Sequence, residues 1–194
     1  SEFRDPLLNV WTRQDHFWES VELHPGEYFV KLDHTESRTC DGDATCRTTR
    51  TRFAYDDYGN VRHTHLEGDV SVLGDEKVTT VKFHQNTADW ILNKPELIQT
   101  LNPTRTAVIA QRRFYYDEQG LNTIPDKGSI TKEESWLDTN PGDPWIATIV
   151  EYDSYGNPTK VTDALTHSTS FEYGDGQHTY PTKVTDALGF FSES

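Results

Sequence analysis

Four times along the chain an apolar side chain sits two positions before a tyrosine: Phe53 and Tyr55, Phe114 and Tyr116, Val150 and Tyr152, Phe171 and Tyr173. A spacing of two puts both side chains on one face of an extended strand, and aromatic and β-branched residues fit that pleated surface best. Alternating stretches predict further strands at "EYFVKL" (27–32), "RTTRTRF" (47–53), "EKVTTVKF" (76–83) and "TAVIAQRRFYY" (106–116). One stretch, "TADWILNKP" (87–95), reads either as a helical turn capped by Thr87 and stopped before Pro95, or as an irregular apolar clip. Nowhere does a 3.6-residue period run for three turns. The expected fold is therefore all-β, with successive antiparallel β-hairpins forming a curved, open sheet.

The residues after each tyrosine carry turn chemistry. "YDDYGN" (55–60) and "YDSYGN" (152–157) share a phrase, and "YDEQGLN" (116–122) carries a worn version. Asp56, Asp117 and Asp153 suit the first position of a type I turn, where a carboxylate accepts backbone hydrogen bonds. Gly59, Gly120 and Gly156 come three residues later and suit a left-handed residue, which makes a hairpin loop with a bulge. Asn60 and Asn157 are expected to open the return strand. "PTKVTDAL" occurs at 158–165 and again, unchanged, at 181–188. The tyrosines before the two copies are less widely offset, so the loop "GDGQHTY" (174–180) after Tyr173 holds two extra residues. Asp186 and Gly189 frame one more such turn, whereas the first copy has Thr166 in place of the glycine, predicting a strained turn or one of another type.

These phrases, with the "KVTDAL" strands and the "DALG" turn, resemble the RHS/YD repeats of bacterial polymorphic toxins, insecticidal toxin-complex B and C components, and teneurins. "VKFHQNTADWILNKPELI" (81–98) is also similar to a stretch of toxin-complex B-type and related RHS proteins. The resemblance covers roughly residues 47–189, leaving an N-terminal region of strands and a cysteine loop over 1–46 and a tail over 190–194. It implies a ribbon of hairpins that spirals into a shell enclosing a toxic C-terminal domain, or into a barrel on an extracellular protein. The implied partners are neighbouring repeats or chains of the same shell and an enclosed toxin domain. The repeats here are too few for a closed shell, and neither a toxin domain nor the family's self-cleaving core motif is recognisable. With a Met count of 0, the sequence reads as a piece of a longer polypeptide, "SEF" at its start resembling a cloning scar.

Composition narrows the function. Hydrophobic residues make up 34% of the chain but aromatic ones 12%, enough ring surface to offset the entropy of ordering the chain. The formal net charge of -14 disfavours nucleic acid and anionic lipid surfaces as partners. No apolar run approaches the ~20 residues of a membrane-spanning helix, so membrane insertion is not expected. Cys40 and Cys46 flank "DGDAT". They read either as a disulfide at a hairpin tip, implying an oxidising, secreted or envelope location, or as two free thiols. That stretch (41–45) imitates the opening of a calcium loop, but Arg52 stands where a bidentate Glu would be required. His63 and His65, with Glu67 at the same spacing, offer the start of a metal site or a plain polar strand face. Neighbouring acids such as Glu133 and Glu134, or Asp138 and Asp143, carry little weight in a chain with 32 of them. With no nucleophile elbow, phosphate loop or zinc-protease helix, no catalysis, metal or cofactor is expected. The leading expectation is a non-enzymatic shell segment. The alternative is an extracellular module binding carbohydrate or a partner protein, with Trp136 and Trp145 as the candidate contacting aromatics.

Overall fold

The computed structural model describes residues 2–4, 10–41, 45–137, 144–174, 176 and 178–193. They form fourteen strands: β1 (Glu2–Arg4), β2 (Val10–His24), β3 (Glu27–Asp41), β4 (Thr45–Tyr55), β5 (Val61–Asp69), β6 (Lys77–Asn86), β7 (Ile91–Leu101), β8 (Val108–Tyr116), β9 (Ile130–Trp136), β10 (Trp145–Tyr152), β11 (Pro158–Thr162), β12 (Ser168–Glu172), β13 (Lys183–Thr185) and β14 (Phe191–Glu193). Their order in the sheet is the order of the chain, from β1 to β14, without a crossover. Every pair whose register is resolved is antiparallel, and the two ends of the sheet do not meet, so the sheet is open. The fold is all-β hairpins, as the alternation predicted.

The helical reading of 87–95 is wrong. Asn86 Oδ1 accepts from the amides of Ala88 and Asp89, and Trp90 takes a left-handed φ of 59°. The chain therefore reverses within one turn, and the apolar residues that suggested a helix open β7 instead.

Two compact units divide the chain, Ser1–Val81 with Gln99–Ile109 and Lys82–Ile98 with Ala110–Ser194. In the first, the register sets Glu36 opposite Arg50, and His34 opposite Arg52, which faces His65. On that face Arg50 donates to Glu36 at 2.6 Å and pairs with Glu67 at 3.2 Å, while Arg52 reaches Glu67 at 2.5 Å and Asp33 at 3.6 Å. The alternate positions are hydroxyl-rich: Thr35 opposite Thr51, Ser37 opposite Thr49, and Phe53 opposite Thr64, which faces Thr79.

The second unit repeats this division. Lys132, between Tyr115 and Ile149, pairs with Glu134 at 2.8 Å; Lys160 pairs with Glu151 and Lys183 with Glu172. The opposite face holds the tyrosine-led positions: Phe114, Thr148, then Val150 opposite Val161 and Phe171 opposite Val184. Arg112 and Glu133 form an ion pair on this side. Phe114, Tyr116 and Pro125, among the most deeply buried side chains of the unit, lie around the end of β8. A sheet alone cannot bury both faces, so burial concentrates where a long loop folds back on it.

Candidate functional site

The repeated phrase builds one turn, made four times. In each, the amide of the fourth residue donates to the carbonyl of the aspartate: Gly59 to Asp56, Gly156 to Asp153, Thr166 to Asp163 and Gly189 to Asp186, at 3.0–3.1 Å. The amide of each aspartate donates to the carbonyl of the fifth residue, Asn60, Asn157, His167 or Phe190. Each carboxylate accepts two further amides, from the third and fifth residues. Gly59, Gly156 and Gly189 have φ of 84°, 86° and 84°, and Thr166 is forced to 70° in the same turn. Asn60 and Asn157 lie inside the turn, not at the start of the return strand, because their amides donate to the aspartates. His167 takes the asparagine's part through Nδ1, 3.1 Å from Asp163. Its amide and the other donors hold the Asp163 carboxyl below the ordinary aspartate value. Burial pushes the Asp153 carboxyl up, but the amide and side chain of Asn157 with the Tyr155 amide outweigh it and leave it low.

Each tyrosine then reaches back to the preceding strand. Tyr55 donates to the carbonyl of Leu32, Tyr116 to Pro95, Tyr152 to Ile130 and Tyr173 to Pro158, at 2.8–3.1 Å. The register slips by one residue beside Tyr55, Tyr116 and Tyr152, a bulge that re-aims the side chain. The tyrosines are thus staples between consecutive hairpins. Their ring contacts are with other residues, Phe29 edge-on to Tyr55 and His84 edge-on to Tyr116. Burial pushes the Tyr116 and Tyr152 phenols up, so both stay protonated donors across the physiological range.

The third phrase departs from the pattern. Gly120 is not left-handed; Asp117 and Glu118 are, at 55° and 61°, and the Gln119 amide closes on the Tyr116 carbonyl. The chain returns only at Ser129, whose carbonyl accepts from the Asp117 amide. Asp117 organises the whole loop between, its two oxygens accepting from the amides of Asp126, Lys127, Gly128 and Ser129 at 2.9–3.0 Å. Burial raises the Asp117 carboxyl, and these four amides more than reverse that. Between this loop and the Asp153 turn lies a cleft of about 570 Å³ lined by Asp117, Asp126, Tyr152 and Asp153. Asp117 and Asp153 are both engaged with backbone amides there.

Cys40 and Cys46 sit directly opposite each other across β3 and β4 and are bonded. Of the residues between them, 42–44 lie outside the described residues, as do Asp138 and Asp143. Glu67 is taken by Arg50 and Arg52, leaving His63 and His65 without a third ligand on their strand. Burial, Arg62 and Arg105 all hold His63 below the ordinary histidine value. Among the described residues no three His, Cys, Asp or Glu side chains converge on a metal-sized point. Trp136 and Trp145 pair across β9 and β10, and the Arg113 guanidinium lies 3.6 Å over the Trp145 ring. Sequence reasoning missed the buried trio His84, Asn86 and Glu96, and the only signal was their place in the 81–98 stretch.

The RHS Repeat family matches residues 152–190. No curated protein matches in sequence. Among solved structures, the crystal structure of TcdB2-TccC3-Cdc42 is similar with a TM-score of 0.66 and 10% identity, over 95% of this chain and 14% of that one. TcdB2-TccC3 without its hypervariable C-terminal region gives 0.57 and 10%, over 93% and 14%. The Photorhabdus luminescens Tc holotoxin pore gives 0.56 and 11%, over 93% and 15%. This chain thus spans about one seventh of the length of the proteins it resembles. Residues 152–190 match the RHS repeat, and the chain as a whole is a run of consecutive antiparallel β-hairpins.

Proposed function

We propose that the chain is a non-enzymatic wall segment of a larger RHS/YD-repeat toxin-type or surface protein, with residues 47–189 as its repeat-bearing part, and that this wall encloses or presents another polypeptide. The observation that carries the reading is the tyrosine staple. Four hydroxyls tie one hairpin to the strand before it, so each hairpin is built to be stacked and not to stand alone. The division of faces supports a direction. The face with the ion-pair ladder faces solvent, and the tyrosine-led face, with its Phe, Val and Thr rows, faces the contents. A bonded Cys40–Cys46 pair favours a secreted or cell-envelope setting.

The test compares two neighbours on β10 in the longest natural polypeptide that contains this chain. Thr148 lies on the tyrosine-led face and Glu151 on the ladder face. With a bulky maleimide, the Glu151→Cys variant should label at least tenfold faster than the Thr148→Cys variant, the difference vanishing in denaturant. Equal native rates would remove the enclosing wall.

A further inference from the structure

Left-handed backbone gathers at one rim of the second unit. Among the described residues seven that are not glycine have positive φ. Five of them, Trp90, Asp117, Glu118, Asn122 and His178, lie in the β6–β7, β8–β9 and β12–β13 connections. Alternate connections of a sequential antiparallel sheet share a rim, so these three line one rim, with the β10–β11 turn before the last. Backbone strain of this kind clusters where a fold clamps a ligand. Trp90 is the clearest case. It stands at φ 59°, where glycine would be unstrained, and its side chain is 75% exposed. The turn beneath it is firmly built: buried Asn86 bonds Asp89 and the Pro125 carbonyl of the next connection on the rim, both at 2.8 Å. A chain that needed only to reverse here would gain from glycine.

Next on this rim lies the cleft of about 570 Å³ between the Asp117 loop and the Asp153 turn, a size that suits a small ligand. Tyr155 forms one wall. His178 stacks on one face of its ring at 4.0 Å, yet the residue is 68% exposed, so the opposite face is open and held in place. The rest of the lining is polar and includes Glu118, Gln119, Asp126 and Ser154. Gln119 donates to Asp126 at 3.0 Å, which fixes its amide and leaves its buried Oε1 without a hydrogen-bond partner.

This lining selects by charge. The carboxylates of Asp117, Glu118, Asp126 and Asp153 outweigh Lys127 and repel phosphate, sulfate and carboxylate groups. They make no cage for a cation either, because Asp117 and Asp153 hold backbone amides and Asp126 holds Gln119. An apolar segment would strip water from these groups without pairing them. A sugar meets each requirement: its hydroxyls donate to carboxylates and to Gln119 Oε1, accept from Ser154 and Lys127, and its C–H face lies on an aromatic ring. We propose that this rim binds a neutral oligosaccharide, with one sugar on Tyr155 in the cleft and Trp90 as a second platform along the rim. Such binding does not depend on the wall reading, since it uses the rim and neither face of the sheet.

The test applies the intact disulfide-bonded chain to an array of neutral, sialylated and sulfated glycans, then titrates the best-bound neutral glycan. Binding should be confined to neutral glycans. Tyr155→Ala should weaken it at least tenfold, and Tyr155→Phe should leave it within twofold. Trp90→Gly should weaken it at least threefold while the chain melts no lower, because the strain goes with the indole. A merely structural role for Trp90 would not separate the two readouts. Trp136→Ala, at the far end of β9 from this rim, should bind as the native chain does. No glycan bound, acidic glycans bound as tightly as neutral ones, or native affinity in either Tyr155→Ala or Trp90→Gly would each overturn the proposal. Loss in Trp136→Ala alone would overturn it too, by moving the sugar to the other end of the sheet.

Discussion

The four aspartate-led turns form a natural substitution series, because the hydrogen bonds are the same while the fourth residue changes. Gly156 has nothing within 4 Å of a hypothetical Cβ, so replacing it tests backbone conformation alone. Forcing an alanine to φ near 86° there should cost about 1 kcal/mol. Thr166 already bears that strain at 70°, with a branched Cβ. Thr166→Gly should therefore stabilise by up to about 1 kcal/mol, the relieved strain being partly offset by glycine's larger unfolded-state entropy. Melting temperatures should move in opposite directions for Gly156→Ala and Thr166→Gly, by roughly 2–4 °C for a chain of this size; a fall in both would contradict the shared turn geometry. At this scale the sequence was readable where donor and acceptor lie within five residues. It could not reveal that His167 replaces asparagine, because an imidazole Nδ1 does the work of an amide only once the turn exists. Gly120 misled for the opposite reason. The partners that decide the Asp117 loop, from Asp126 to Ser129, lie far outside any local window.

Among elements, the junction of β6, β7 and β8 combines burial with charge. His84 on β6 and Glu96 on β7 are only 5% and 6% exposed. The His84 ring stands edge-on to Tyr116 of β8, with Nδ1 3.9 Å from Glu96, whose other oxygen is 2.8 Å from Lys82. Burial lowers the His84 pKa, Glu96 opposes this and Lys82 adds to it, and the net direction is down. The folded state therefore favours neutral imidazole. Its contribution is complete above the ordinary histidine value of about 6.5 and is lost as pH falls below that toward the folded value. Between pH 7.5 and 5.5 the melting temperature should drop further in the native chain than in His84→Phe, which keeps an aromatic ring against Tyr116 but cannot titrate. The expected gap is roughly 2–4 °C if about 1 kcal/mol is at stake. Parallel pH profiles would mean that Glu96 compensates the charge fully. The same junction shows why 87–95 was misread: Trp-Ile-Leu fits a helix and a buried strand equally well, and the Asn86 cap settles it. β2 was missed because a strand with apolar residues toward both sides shows no clean period of two.

At the level of the whole molecule, strictly sequential strand order has a thermodynamic consequence. Each hairpin gains its burial and its staple from immediate neighbours, so stability should accumulate by near-neighbour terms as in stacked repeats, and among the described residues no strand completes the sheet by pairing with a distant one. The final hairpins should then be removable. Ending the chain at His167 deletes β12, β13 and β14 together with the Tyr173 staple to Pro158, but keeps Tyr152 bonded to Ile130 and Tyr116 to Pro95. Amide exchange in β3 through β9 of that shortened chain should match the intact one, with lost protection confined to β10 and β11. A sheet closed by pairing of its first and last strands would behave differently, since deleting one end would expose the other. Loss of protection reaching β3–β5 would therefore show that stability is shared globally and that the hairpins are not the independent units their staples suggest.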